Sequence, residues 1–406
     1  MKRKGVRNLL RSPSSSPVAQ DGTKVATKGF LTPSGLPDAA WRRSFRRRLL
    51  SWYAASARDL PWRRSSDAYL IWVSEIMLQQ TQVATVVPYF ERFVRAFPTV
   101  EALARADEHD VLRLWEGLGY YRRARQLHQA AGIIAAEHGG RFPRDAATVR
   151  RLPGIGRYTA GAVLSIAFDL PEPILEANTT RLLSRLLAYG GDAASAAGQR
   201  LLWTTAAALL PDRRAGRFNQ ALMELGSEVC RARLPQCDAC PVRMLCRARA
   251  NGLQAEIPPP KRKPPTESVH EAAVLVRRRG RLLLLRYPPG RRWAGLWDFP
   301  RFPLRATEPA AIGRELEENV RTLTGVIIRP GEHLRTIKHG VTRFRITLDC
   351  YRAEYVATDG ATARAGKPPV APDVEIRWLR PAELDRYPLS TTGRKMARLA
   401  GVVGSG

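Results

Sequence analysis

Four thiols crowd into one short stretch of this chain: Cys230, Cys237, Cys240 and Cys246, spaced C-x6-C-x2-C-x5-C. Four soft thiolates within 17 residues can close around one metal centre, and in a reducing compartment little else accounts for such clustering. Zinc and an iron–sulfur cluster both suit the donor set. Zinc modules usually offer two short Cys-x2–4-Cys knuckles, however, and only one is present. Arg231, Arg233, Arg243 and Arg247 share the segment, so a metal that stiffens it would also present cations to phosphates. The fifth cysteine, Cys350, lies in the run TLDCY and reads as a buried thiol.

Two carboxylates form a second constellation. Glu75 sits among apolar residues in WVSEIMLQQTQV, with Gln79, Gln80 and Thr81 one turn onward. Burying an ionised carboxylate is costly, so its pKa should rise. Glu176, in PEPILEANTTRLLSR, stands just before a helix that has Asn178 near its start. Hydrolysis of a glycosidic bond needs a proton for the leaving group and negative charge beside an oxocarbenium-like sugar, and two unequal carboxylates supply both. The plain alternative is a surface Glu and a helix-capping Glu, and the sequence does not bring the two together. A third feature is VRRLPGIGRYTAGAVLSIAF, two helices joined by a turn at Leu152-Pro153-Gly154-Ile155-Gly156. The glycines permit unusual backbone angles. Free N–H groups at the start of the second helix, from about Tyr158, make a nest for phosphate.

The elements that must position these groups fall into distinct stretches. Residues 1–38 are a Ser/Pro/Lys/Arg tail expected to stay disordered. From 39 to 250 apolar residues recur at three- and four-residue spacing between Pro- or Gly-bearing turns, which predicts an all-α domain of roughly ten helices. Residues 251–266, with Pro258, Pro259, Pro260, Pro264 and Pro265 around a basic run, read as an extended linker. From 267 to 400, alternating runs such as VHEAAVLVRRRGRLLLLRYPPG and TRFRITLDCYRAEYV predict strands. One helix, AAIGRELEENVRTL, interrupts them, giving an α+β domain. Lys and Arg number 66 against 37 Asp and Glu, a formal charge of +29. Such an excess favours a polyanion through counterion release, although solubilising surface charge or an Arg-heavy genome would also produce it. No run approaches the length of a membrane span and the start lacks the apolar core of an export signal, so a cytoplasmic, nucleoid-associated location is expected.

Together LPWR, WVSEIMLQQTQVATVVPYFERF, LWEGLGYYRRARQLHQAA, LPGIGRYTAGA, RFNQALMELGSEVC and the four-Cys spacing resemble the helix-hairpin-helix DNA glycosylases, and more closely their MutY-type adenine DNA glycosylases. The resemblance covers about residues 41–395. It implies a 4Fe-4S cluster rather than zinc. It further implies a monomer acting on double-stranded DNA with adenine opposite 8-oxoguanine or guanine, the adenine flipped from the stack. On that resemblance Glu75 is the catalytic acid, Glu176 the second carboxylate, and Tyr158 and Asn178 line the sugar. Gln80 and Tyr120 enter or press on the stack near the damaged base, with Leu118 among the substrate-binding positions. Trp62 and Gln220 surround the adenine, and Gly154, Gly156 and Arg157 hold the DNA backbone.

Three departures from the family stand out. The second carboxylate is normally Asp, in LDGN, where this chain reads LEAN with Glu176; misplacement by about a bond length can cost a large rate factor. Bifunctional relatives carry Lys at the position of Tyr158, so base removal without strand cleavage is expected here. The C-terminal domain resembles a Nudix-like module whose Phe-Ser-His loop reads 8-oxoguanine. Here the tripeptide is Ile337-Lys338-His339, keeping the His. A Nudix pyrophosphatase would need an R-E-U-x-E-E core, whereas GRELEENVRTLTGV places Asn319 at the final Glu, which points to a reader rather than a hydrolase.

Overall fold

The structure, a computed structural model, describes residues 36–260, 265–288, 290, 293–341, 343–358 and 374–400. The tail expected to be disordered lies outside these residues except for its last three, as do linker positions 261–264. Among the described residues, twelve α-helices precede the linker: α1 (Ala39–Ser56), α2 (Ala68–Leu78), α3 (Val83–Ala96), α4 (Val100–Ala104), α5 (Glu108–Trp115), α6 (Arg122–Glu137), α7 (Ala146–Val149), α8 (Arg157–Phe168), α9 (Ala177–Leu187), α10 (Ala196–Leu209), α11 (Ala215–Glu224) and α12 (Arg247–Ala250). None of the helices in the described residues is long and apolar enough to cross a membrane.

Two cores divide this helical region. One is built from α2 to α8 around Trp72, Phe93 and Trp115, and it seats α2, whose residues Ala68–Met77 are buried except Leu70. The second gathers Phe45 of α1, Leu183 of α9, Leu202 of α10 and Phe218 of α11, with the cysteine segment packed against it. A helix buried on all sides has no polar face, so a carboxylate on α2 has nowhere to reach water except through a cleft. The chain stays on this region past α12: Ile257 is buried and its carbonyl accepts from Arg185 Nε at 2.8 Å.

Beyond the linker comes a mixed sheet of β1 (Glu267–Arg278), β2 (Arg281–Arg286), β3 (Trp297–Asp298), β4 (Arg301–Pro303), β5 (Val326–Val341), β6 (Phe344–Thr358) and β7 (Glu375–Leu379). The order is β3-β2-β1-β6-β5, with β4 paired to β1 and β7 to β2; among the described strands only β1 and β6 pair in parallel. Helix α13 (Pro309–Thr324) covers one face through Leu316 and Val320, and α14 (Thr391–Leu399) the other through Met396 and Ala397. Cys350 is fully buried in the second of these layers. Glu315 of α13 accepts the N–H groups of Arg305 and Ala306, while Asn319 donates to the Glu315 carbonyl at 2.8 Å.

One sequence expectation needs correction here. Ile337, Lys338 and His339 lie not in a loop but in strand β5, each paired with β6. Two β-bulges around Pro330–Arg335 break the alternation of β5, which hides the strand from a period-two reading.

Candidate active site

A cavity of about 560 Å³ opens between the two helical cores. Its walls are Glu75 from α2, Tyr158 from the start of α8, Glu176 and Asn178 from the start of α9, and Gln220, Met223 and Glu224 from α11. Trp62, Arg63 and Arg58 close one side, and Gln79, Gln80 and Thr81 another. The volume suits one nucleobase with its sugar, within the usual range for small-molecule sites.

Glu75 is 5% exposed. Burial, opposed by a hydrogen bond from Tyr158 and reinforced by the charge of Glu176, pushes its carboxyl up to about 7. The Tyr158 hydroxyl donates to Glu75 Oε2 at 2.7 Å. Burial and the two carboxylates hold that phenol well above its ordinary pKa, so it stays a donor. Burial also raises Glu176, against the pull of two backbone N–H groups.

Those two bonds show what Glu176 does locally. It is the N-cap of α9, accepting from Asn178 N at 2.7 Å and Thr179 N at 2.8 Å, while its own N–H donates to Thr179 Oγ1 at 2.7 Å. The bland sequence alternative of a capping Glu is therefore real, and the same carboxylate also lines the cavity. Each oxygen keeps a further lone pair for a ligand. Asn178 is fixed by Arg181, whose Nη2 donates to Asn178 Oδ1 at 2.9 Å.

Sequence reading missed the ion pairs of the cavity floor. Arg58 and Arg63 each place Nη2 on Glu224 Oε2, at 2.7 and 2.8 Å, and Arg58 also meets Glu228 at 2.7 Å. Burial alone would raise Glu224, but the two guanidinium groups outweigh it and hold the carboxyl down at about 2. Glu224 is thus a fixed anion at neutral pH, unlike Glu75. Arg63 follows Trp62 in LPWR, a signal that could have flagged it; Arg58 and Glu224 offered none.

Leu118, Tyr120, Gly154, Arg157 and His339 lie outside this cavity. Tyr120 is 48% exposed and, like Gln80, adopts positive φ. Buried Arg123 joins their two loops, donating to Ile76 O and Met77 O at the end of α2 and to Gln79 O and Thr81 Oγ1 just after it, and to Leu118 O and Gly119 O on the other side. Of the hairpin glycines only Gly154, at φ +77°, needs the left-handed region. Gly156 has ordinary extended backbone, so of the unusual angles that the two glycines permit, the turn uses one at Gly154 alone. A Cβ on Gly156 would meet open space, and α8 has no side-chain cap. The Arg157 guanidinium stacks on Trp203, 3.8 Å from the ring centre. His339 lies 3.3 Å from Arg301 Nη2, and burial and that charge lower its pKa.

Cys230, Cys237, Cys240 and Cys246 line one small cavity with Leu182, Leu186 and Val242. All are free thiols, and Arg185 Nη1 lies 3.4 Å from Cys230 Sγ as a donor. No three His, Cys, Asp or Glu side chains among the described residues close on a single ion. Burial pushes the Cys240 thiol up to about 12 and raises Cys237 and Cys246. A cationic centre is what would make such buried sulfurs thiolates.

Residues 73–206 match the HhH-GPD superfamily of base excision DNA repair proteins, and 272–399 match the NUDIX domain. The chain is 36% identical to the human adenine DNA glycosylase over 89% of its own length and 75% of that protein. The chain belongs to the adenine DNA glycosylase family. It is also 47% identical to the adenine DNA glycosylase of Mycolicibacterium smegmatis, over 51% of this chain and 70% of that one. A solved thermostable thymine-DNA glycosylase aligns with 52% of this chain and 98% of its own, at 28% identity and a TM-score of 0.48. The fold class read from the sequence, a helix-hairpin-helix domain followed by a Nudix-like domain, agrees with these matches.

Proposed function

We propose that the protein is a monofunctional DNA glycosylase that hydrolyses the N-glycosidic bond of adenine paired with 8-oxoguanine or guanine in duplex DNA. The observation that carries this reading is Glu75, a carboxyl raised to about 7 and held by Tyr158 in a nucleoside-sized cavity beside Glu176. A carboxylic acid of that pKa is still about half protonated at neutral pH, and that form can donate to the leaving adenine. Glu176 then supplies charge beside the sugar as it becomes oxocarbenium-like, and Asn178 and Tyr158 border the same space. Arg58, Arg63 and Glu224 form an ion-paired floor to the cavity, with Trp62 and Gln220 beside it, where a flipped base would lie.

Strand cleavage through a Schiff base needs an amine at the sugar. None of the residues lining the cavity is a lysine, and Tyr158 holds the place where bifunctional relatives carry one. Preference for 8-oxoguanine is assigned to His339 and its neighbours on β5. The four cysteines, disposed around one cavity with a guanidinium donor to Cys230, suit a 4Fe-4S cluster. When bound it would staple the segment of exposed Arg231, Arg233 and Arg243 against the helical core, beside the DNA backbone.

Single-turnover incubation with a duplex holding one adenine opposite 8-oxoguanine is the test. The expected product is an abasic strand that breaks only after hot alkali. Scission without alkali, with a borohydride-trapped complex, would contradict the monofunctional reading, and an intact adenine would overturn the whole assignment.

A further inference from the structure

The loop that follows α5 carries Leu118 and Tyr120 in a conformation it could not keep by itself. Gly117, Gly119 and Tyr120 all have positive φ, at +98°, +71° and +49°. Contacts from the helical region brace its backbone. Tyr89 donates to Glu116 O at 2.7 Å, the Tyr121 hydroxyl accepts from Gly117 N at 3.2 Å, and Trp115 Nε1 donates to Gly119 O at 3.2 Å. The Glu116 side chain instead points to the C-terminal domain. Its two oxygens accept from Arg394 Nε at 2.7 Å and Nη2 at 2.9 Å, and Oε2 also accepts from Leu389 N at 3.1 Å. Only about a fifth of either side chain is exposed.

Arg394 belongs to α14, and α14 is tied to the strand that carries His339. Arg301 reaches His339 Nε2 at 3.3 Å and Thr392 Oγ1 of α14 at 3.0 Å, while Ile337 shares a packed layer with Met396 and Ala397. A short path therefore runs from His339 through Arg301 to Thr392, along helix α14 to Arg394, and from there to Glu116 and the loop of Leu118 and Tyr120.

We propose that Glu116 and Arg394 are a positioning pair: through them, docking of the C-terminal domain sets the loop of Leu118 and Tyr120, and so links reading of the opposite base to excision of adenine. The inference rests on the activity proposed above. Neither residue touches the cavity of Glu75, so the pair acts through placement and not through chemistry. A bidentate guanidinium–carboxylate contact suits that role, because it fixes orientation as well as distance.

The test uses the full chain in single-turnover excision of adenine opposite 8-oxoguanine and opposite guanine, with Glu116→Gln, Arg394→Gln and the double variant. Each single change should reduce the preference for 8-oxoguanine about five- to tenfold, the low end of couplings between sites. The double variant should be no worse than the worse single one, the non-additivity expected of residues acting as a pair. The loss should appear in the rate at saturating enzyme, with duplex affinity little changed. Arg394 also braces its own domain through Leu384 O, Asp385 and Tyr387 O, so Glu116→Gln is the deciding variant. Wild-type preference in Glu116→Gln, or an equal fall on both duplexes, overturns the coupling. Wild-type protein that excises nothing overturns the functional reading and the coupling with it.

Discussion

Glu75 serves two opposed demands, and both can be measured. Its carboxyl is raised from 4.5 to about 7, chiefly by burial. As a proton donor it should lose activity as pH rises through about 7. Glu75→Gln, which keeps the shape and gives no proton, should lower the excision rate about a hundred- to ten-thousand-fold with duplex binding retained. The linkage to stability has a definite sign. The folded pKa lies above the unfolded one, so the favourable contribution is complete below about 4.5 and is lost as pH rises to about 7. Above that window the wild type should be less stable than Glu75→Gln by up to about 3 kcal/mol, and the two should converge in acid; urea titrations at about pH 4 and about pH 9 read this out. The unusual placement of Glu75 was legible, since a lone carboxylate interrupts an apolar run. Its partners were not, because Tyr158 is 83 residues away.

At the scale of elements, the start of α9 joins capping to charge. Glu176→Asp keeps a carboxylate and a good N-cap residue, so it should stay active and fold normally. Glu176→Gln keeps one acceptor oxygen for two backbone N–H groups and should cost about 1 kcal/mol of stability. Its excision rate should fall much further, about a hundred- to thousand-fold, if the charge faces the sugar. A rate loss no larger than the stability loss would leave the carboxylate a cap alone. The cysteine segment makes a second expectation: purified protein should contain iron and sulfide, and Cys240→Ser should lose both with a lower melting temperature. Metal analysis returning zinc would contradict it. Cys230, Cys240 and Cys246 pack against the core of α1, α9 and α11, so the damage should spread into that core. The longer helices were readable from their period. The four- and five-residue helices α4, α7 and α12 were not, because barely a turn leaves no periodic trace.

For the whole molecule, the two halves share a core. Leu296, from the C-terminal domain, is fully buried within the α2–α8 cluster and Trp293 packs against it. Arg125 donates to the Ala294 carbonyl, and His109 meets the Arg386 carbonyl at 2.7 Å. Leu296→Ala should cost about 2–5 kcal/mol, and calorimetry should show one unfolding transition resolving towards two. A transition unchanged in midpoint and shape would mean that Leu296 does not hold the halves together. Removing the domain outright would instead expose the apolar surface that Leu296 covers. None of this interface was legible in the sequence. Composition marks a linker and a change from helical to alternating pattern, but Glu116 and Arg394 are 278 residues apart and each reads as an ordinary surface charge.

The half-ionised acid in the cavity also makes ligand binding a proton-exchange event. A positively charged mimic of the sugar, seated between Glu75 and Glu176, would favour the carboxylate form of Glu75 and expel its proton into the buffer. Near neutral pH, where the free site holds about half a proton on Glu75, binding should release roughly that amount. The heat measured by titration calorimetry should then shift with the ionisation enthalpy of the buffer. In Glu75→Gln that dependence should vanish, even if the mimic still binds.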